Sequence, residues 1–168
     1  MNAQRVSADH RSLIRGAFSR QKAWRWLLGL TVIVGLFGIS DLILGIDADP
    51  AIPVGVTGLT PDEIRQTSEP LARLIDLQVT AGAIQLTTIS ALWSVIIFVP
   101  YRRQERWAWY TMWTFPAWSI SVAVAFLFVE LQPGVPLPPP AISGWVFFGL
   151  TSLLLLVSRR DFVRSSND

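Results

Sequence analysis

The chain has 168 residues, 51% hydrophobic and only 15% charged, with a mean hydropathy of +0.43. A soluble domain carries about 25% charge, so the deficit points to apolar surface that faces lipid as well as a core. The lack of cysteine excludes disulfides, thiolate zinc sites and cysteine nucleophiles, and the place of the only histidine, His10, in the polar tail argues against histidine-based triads. The net charge of +2 and pI of about 9.7 arise from short basic clusters at the ends of apolar runs, which is a membrane-orientation pattern and not a nucleic-acid footprint.

Residues 1–22 are polar and basic, with Arg5, Arg11, Arg15, Arg20 and Lys22. Leu13, Ile14, Ala17 and Phe18 give them one weak apolar face, suited either to a helix on an anionic surface or to a frayed tail. The basic stretch is long, the apolar run after it is span-length, and no small-x-small site follows. The first span is therefore expected to be retained and not cleaved as a signal peptide.

Span one is predicted over Trp24–Ile46, long enough to cross the hydrocarbon, with Trp24 and Trp26 at its basic end. Residues 47–60 read as a turn-rich loop around Pro50, Pro53, Gly55 and Gly58. Thr60-Pro61-Asp62-Glu63 predicts a short outer helix opened by a capping box, and Ser68-Glu69-Pro70 a second start leading into span two, Leu71–Val99. Pro100 and residues 101–106 form a short basic turn. Span three is predicted over Trp107–Leu131, with Pro116 expected to kink it. The proline-rich stretch 132–140 reads as an extended loop, and span four as Ala141–Val157, stopping at Arg159-Arg160.

The expected fold is all-α: a four-transmembrane-helix bundle over residues 23–158, with basic segments 1–22 and 159–168 at its ends. Every lysine and arginine except Arg65 and Arg73 lies in the N-terminal segment or, as Arg25, directly after it at the start of span one, in the 101–106 turn, or in the C-terminal tail. With four spans these share one side, which the positive-inside rule makes cytoplasmic. The expected location is thus a bacterial inner membrane, with both termini cytoplasmic. The acids Asp47, Asp49, Asp62, Glu63, Glu69 and Asp76 fall on the other side.

Asp41 is the most informative residue, because a carboxylate about one turn inside a span is costly unless it faces the bundle interior. It reads as a buried structural acid, bonded to a neighbouring span or to Arg73, ahead of a ligand counter-ion or proton acceptor. Span two carries a polar stripe of Arg73, Asp76, Thr80, Ala83, Thr87, Ser90 and Ser94 at helical spacing. Close packing is its preferred reading and a small polar cavity the alternative. Gln85 lies on the opposite face. Asp41, Asp76 and Glu130, with Arg73 among them, form a candidate polar site toward the outer end. The spacing of these acids is not a metal motif, and no catalytic or cofactor motif stands out. At the basic boundary Arg102, Arg103, Arg106, Trp107 and Trp109 form a candidate lipid or partner contact. At least one of Trp107, Trp109 and Trp113 must point inward, since the three do not share a helical face.

The stretch Arg103-Gln104-Glu105-Arg106-Trp107-Ala108-Trp109-Tyr110 resembles a signature opening the third span of a group of small bacterial four-span membrane proteins. Gly58–Glu63 and Leu71–Asp76 resemble their first outer loop, and the layout is similar to that of the broad DoxX-like set. The resemblance implies topology and no chemistry. Where the usual turn has glycine before Glu-Arg-Trp, this chain has Gln104. The leading functional expectation is a non-enzymatic accessory or interaction module, with membrane lipids, a membrane protein or a second copy as partner and no cofactor. The alternative is a lipid or small-molecule binder, or an enzyme, with an outward acidic pocket.

Overall fold

The computed structural model describes residues 22–129 and 137–164. The N-terminal segment, Glu130 and the first part of the proline-rich loop lie outside them. The described residues form helices and no strand: α1 (Ala23–Leu44), α2 (Ala51–Thr57), α3 (Pro61–Thr67), α4 (Glu69–Ile96), α5 (Arg106–Met112), α6 (Thr114–Ala125) and α7 (Pro139–Arg164). Three stretches, Ala23–Asp47, Glu69–Tyr101 and Pro139–Arg159, are long and apolar enough to cross a membrane. Only 22% to 33% of their most apolar windows is buried within the protein, so most of that apolar surface points outward, as it does on helices that face lipid.

Local chemistry explains where the helices begin and end. At Gly45 the backbone takes φ +57° and turns out of α1 through a short 3-10 segment, Gly45–Asp47. The region expected to be loop then contains α2. Its Pro53 is tolerated because it lies in the first turn, where amides have no intrahelical partner, and Gly58 closes the helix in the left-handed region at φ +76°. Helix α3 opens with the expected capping box. Glu63 accepts from the Thr60 amide at 2.7 Å, and Thr60 Oγ1 accepts from the Glu63 amide at 3.3 Å. The Thr60 amide, and after it the Thr60 hydroxyl, hold the Glu63 carboxyl below its ordinary pKa. Arg65 ties this helix back to the 3-10 turn by bridging Asp47 and Asp62. Beneath it, Ile46, Ile64 and Ala72 form a small separate core.

The third apolar run is two helices that meet at Trp113, and they end at Ala125, short of the expected Leu131. Pro116 has no amide to offer the Met112 carbonyl, so the ladder breaks there and the Trp113 amide falls back on Tyr110 O at 3.1 Å. Thr114 repairs part of the loss by donating to Thr111 O at 2.7 Å while accepting from Trp93 Nε1 at 3.0 Å. Helix α7 begins at Pro139 and runs past Arg159 to Arg164. Phe162 is buried against Tyr101, with ring centroids 4.8 Å apart, and Tyr101 Oη is 2.6 Å from Ser158 Oγ. This packing carries the helix beyond its apolar run.

The helices associate as two tight pairs. On α1, a Cβ at Gly38 would fall 2.6 Å from Thr87 Oγ1 and 3.0 to 3.1 Å from the α4 backbone at Thr87 N and Ala83 O. Gly35 meets Ser90 in the same way, Ser90 Oγ donates to Thr31 O at 2.5 Å, and Thr31 and Ser94 share a 3.1 Å hydroxyl contact. The polar stripe of α4 is thus a packing face, as preferred from its small residues. In the second pair, Gly144 of α7 sits against Ser119 O and Ala123 of α6, where a Cβ would fall at 2.8 Å from each. The pairs meet over a core of Leu27, Trp93, Met112, Phe115 and Leu155, among others, at the arginine-rich end. Trp93 and Phe115 stack there at 4.3 Å.

These contacts predict a contrast among glycines. Gly38→Ala and Gly144→Ala should each destabilise the protein by about 1–3 kcal/mol through overpacking. Gly29→Ala, where nothing lies within 4 Å of the new carbon, should be neutral or stabilise by up to about 1 kcal/mol through helix propensity. Thermal unfolding in detergent measures all three, and equal effects would contradict the paired arrangement.

Candidate functional site

The arginine-rich end is filled and the opposite end is not. Helix α4 presents a second stripe beside its packing face: Ile75, Val79, Gly82, Leu86 and Ile89 recur at helical spacing and line a cavity of about 650 Å³. Ile52, Pro53 and Val56 of α2 cover it, and Trp118 of α6 closes the far side. A second cavity of about 310 Å³ lies between α1 and the α6–α7 pair, with Phe37, Val122, Pro139 and Phe147 in its walls. The two share Asp41, Ala48, Asp49, Ile52, Leu86 and Trp118, so they are neighbouring lobes that have both aspartates in their common lining. Their sizes fall in the range of small-molecule sites, and a mostly apolar wall with a few polar groups is the usual lining of such a site.

The polar groups differ in how they are held. Asp49 Oδ1 accepts from the Ala51 amide at 3.2 Å and so is oriented by the start of α2. Asp41 is half-buried and takes no hydrogen bond or ion pair among the described residues. Gln85, which sequence periodicity places away from the packing stripe, reaches the larger lobe; Ser40 and Ser143 line the smaller. Trp118 packs edge-on against Trp93 at 5.7 Å, which fixes its ring as a wall.

Of the four residues grouped by sequence as an outer polar site, the three that are described, Asp41, Arg73 and Asp76, are not brought together. Asp76 accepts from the Ile46 amide at 2.9 Å, and its Oδ1 lies 2.6 Å from where a Gly45 Cβ would be. It therefore stabilises the turn out of α1 and is not among the cavity-lining residues. Arg73 pairs with Glu69 on its own exposed surface, not with Asp41. Glu130 lies outside the described residues. The second cavity acid is Asp49, which the sequence places in a loop with other acids; only the turn at Gly45 folds it back over α1.

The basic boundary also separates into distinct contacts. Arg102 lies over Trp24 and Phe98, at 5.2 and 5.7 Å from the ring centroids. Trp107 is exposed and donates to Glu105 at 2.7 Å, whereas Trp109 turns inward and donates to Leu155 O at 2.9 Å. Arg106 Nε donates to Phe162 O at 3.2 Å. Arg103 stays exposed on the turn.

Compared with known proteins, the chain matches no family model, no curated protein and no solved structure. Among the described residues no group of three or more histidine, cysteine, aspartate or glutamate side chains is placed to hold a metal ion.

The two intramembrane aspartates should therefore behave differently on substitution. Asp76→Ala leaves the Ile46 amide without its acceptor and should cost about 1–3 kcal/mol. Asp41→Asn removes a charge that bonds to nothing described, and should leave the unfolding temperature in detergent unchanged or raised. An equal loss in both variants would make Asp41 a structural acid.

Proposed function

We propose that this chain is a four-span membrane protein that binds an amphipathic cation in the cavity between its helix pairs, entering from the non-cytoplasmic side. The observation that carries this reading is the unpartnered Asp41 carboxylate in an apolar-walled space. A carboxylate near the membrane interior costs up to about 2.5–3.5 kcal/mol at the bilayer centre, and a cationic ligand would offset that cost. Among the described residues no cation is placed to do so: Arg65 is engaged by Asp47 and Asp62, and Arg73 by Glu69. Asp49 adds a second negative group in the common lining of the lobes. The apolar walls select a ligand with a hydrophobic body. Binding, not catalysis, is the role proposed, because among the described residues none of the hydroxyls in the walls, Ser40, Thr57, Ser119 and Ser143, is hydrogen-bonded to either aspartate. The cavity also favours a binder over an accessory module, for which the described residues offer no feature of comparable definition.

The four-span arrangement rests on the segment from Arg106 through Ala125. It is 20 residues long in two helical pieces, which at about 1.5 Å per residue reaches about 30 Å, the thickness of the hydrocarbon. A proline break within a span is tolerated where neighbours satisfy the freed groups, as Thr114 does in part. The charge distribution supports cytoplasmic ends and a bacterial inner membrane, in keeping with the DoxX-like layout that the sequence resembles.

Two opposite ions of similar shape test the binding reading. Tetraphenylphosphonium should bind the purified protein, and tetraphenylborate should not. Asp41→Asn should weaken the cation at least about tenfold, or about 1.4 kcal/mol. Gly82→Leu should abolish binding without loss of stability, because Gly82 lines the larger lobe and its Cβ would meet nothing within 4 Å. Equal binding of both ions, or an unaffected Asp41→Asn, would reject the cation site. Topology is read separately by reporter fusions after residues 50, 104 and 136. The expected signals are outside, cytoplasmic and outside, and a cytoplasmic signal at 136 would refute four spans.

A further inference from the structure

A separate cleft of about 350 Å³ lies at the basic boundary, at the end of the bundle opposite the aspartates. It is lined by Arg106, Trp109, Tyr110, Leu156, Arg159 and Phe162. Two arginines from different helices line it, Arg106 from α5 and Arg159 from α7. Among the described residues neither forms an ion pair and no acid lines the cleft. Arg106 is held in place by its Nε bond to Phe162 O at 3.2 Å, which leaves its two terminal amino groups for another acceptor. Trp109 is fixed by its bond to Leu155 O, so the aromatic wall is rigid. On the same side Tyr110 is 68% exposed, Leu156 57% and Leu153 49%. Leu153 and Leu156 are one helical turn apart, so an apolar track leads from the cleft along α7 toward the middle of the bundle.

We infer that this cleft is a specific site for the phosphate of an anionic phospholipid, held by Arg106 and Arg159, with an acyl chain along Leu156 and Leu153. Guanidinium groups bind phosphate through paired, charge-assisted hydrogen bonds. Aromatic side chains at this depth sit at headgroup level, and the attached track fits a tethered chain better than a free ion. The site is more limited than the basic cluster as a whole. Arg102 is committed to Trp24 and Phe98, and Trp107 to Glu105, while Arg103 does not line the cleft. The assignment is independent of the aspartate cavity and stands or falls separately.

The test is native mass spectrometry of the full chain from nanodiscs of phosphatidylcholine with a minor fraction of phosphatidylglycerol. One phosphatidylglycerol should be retained on wild type. The Arg106→Gln/Arg159→Gln pair should lower its affinity at least about tenfold, and Arg103→Gln should leave it unchanged. If the double variant fails to fold, Arg159→Gln alone serves, since no hydrogen bond of that side chain is present among the described residues. Inorganic phosphate should not displace the lipid at millimolar concentration. Full displacement would make this a free-phosphate site and overturn the lipid assignment. Retention in the double variant, or equal loss in Arg103→Gln, would show only diffuse attraction between charges and overturn it too.

Discussion

Helices α1 and α4 can lie side by side only because residue 38 has no side chain. The backbone of α4 approaches so closely that any Cβ there would meet the Thr87 amide and the Ala83 carbonyl. In lipid no hydrophobic force drives two apolar helices together, so close contact and interhelical hydrogen bonds must do it. Gly38 supplies the contact, and Thr31, Ser90 and Ser94 supply the hydrogen bonds. Everything at the outer end depends on this pairing. It sets Asp76 under the end of α1, where it takes the Ile46 amide and supports the turn at Gly45. That turn directs α2 across the top of the bundle and brings Asp49 over the space beside Asp41.

The second pair follows the same rule, with Gly144 against Ser119 and Ala123. Two tight pairs that meet through large aromatic and aliphatic side chains at one end need not meet at the other. At the arginine-rich end Trp93, Phe115, Met112 and Leu155 fill the space between the pairs. At the acidic end Val79 and Gly82 interrupt the larger side chains Ile75, Leu86 and Ile89 on the facing stripe of α4, and a gap remains. The cavity is thus a consequence of how side-chain volume is distributed along the helices. Its position, at the end where the acids lie, gives the space its chemical character.

The polarity of the bundle also has a local basis. Arginines at the filled end find aromatic faces and the last carbonyls of α7, and that environment is compatible with the headgroup layer. The turn there is strained at one point: Gln104 occupies the left-handed region at φ +62°, a conformation that glycine adopts freely and other residues at some cost. In this chain the turn is held by bonds from the Gln104 amide to Tyr101 O and from the Glu105 amide to Pro100 O, both 3.0 Å.

The amino-acid sequence by itself determined the helical class, the three long apolar stretches, the capping box at Thr60 and the packing role of the polar stripe on α4. These depend on local composition and helical period, which neighbouring residues are enough to define. It also showed that Asp41 is unusual, because a charge inside an apolar run is costly wherever the run packs. The tertiary structure decided which groups surround that charge. Asp76 was expected near it and instead holds a backbone amide; Arg73, one of the partners expected for it, pairs with Glu69. Asp49, which sequence placed in a loop, lines the cavity. These outcomes depend on the turn at Gly45 and on the separation of the two helix pairs. Both are set by contacts between residues about 30 to 60 positions apart in the chain, and no local pattern records them. Asp41 was legible from sequence as a charge in need of an explanation, and only the fold showed that it lines an open space in which no described residue pairs with it.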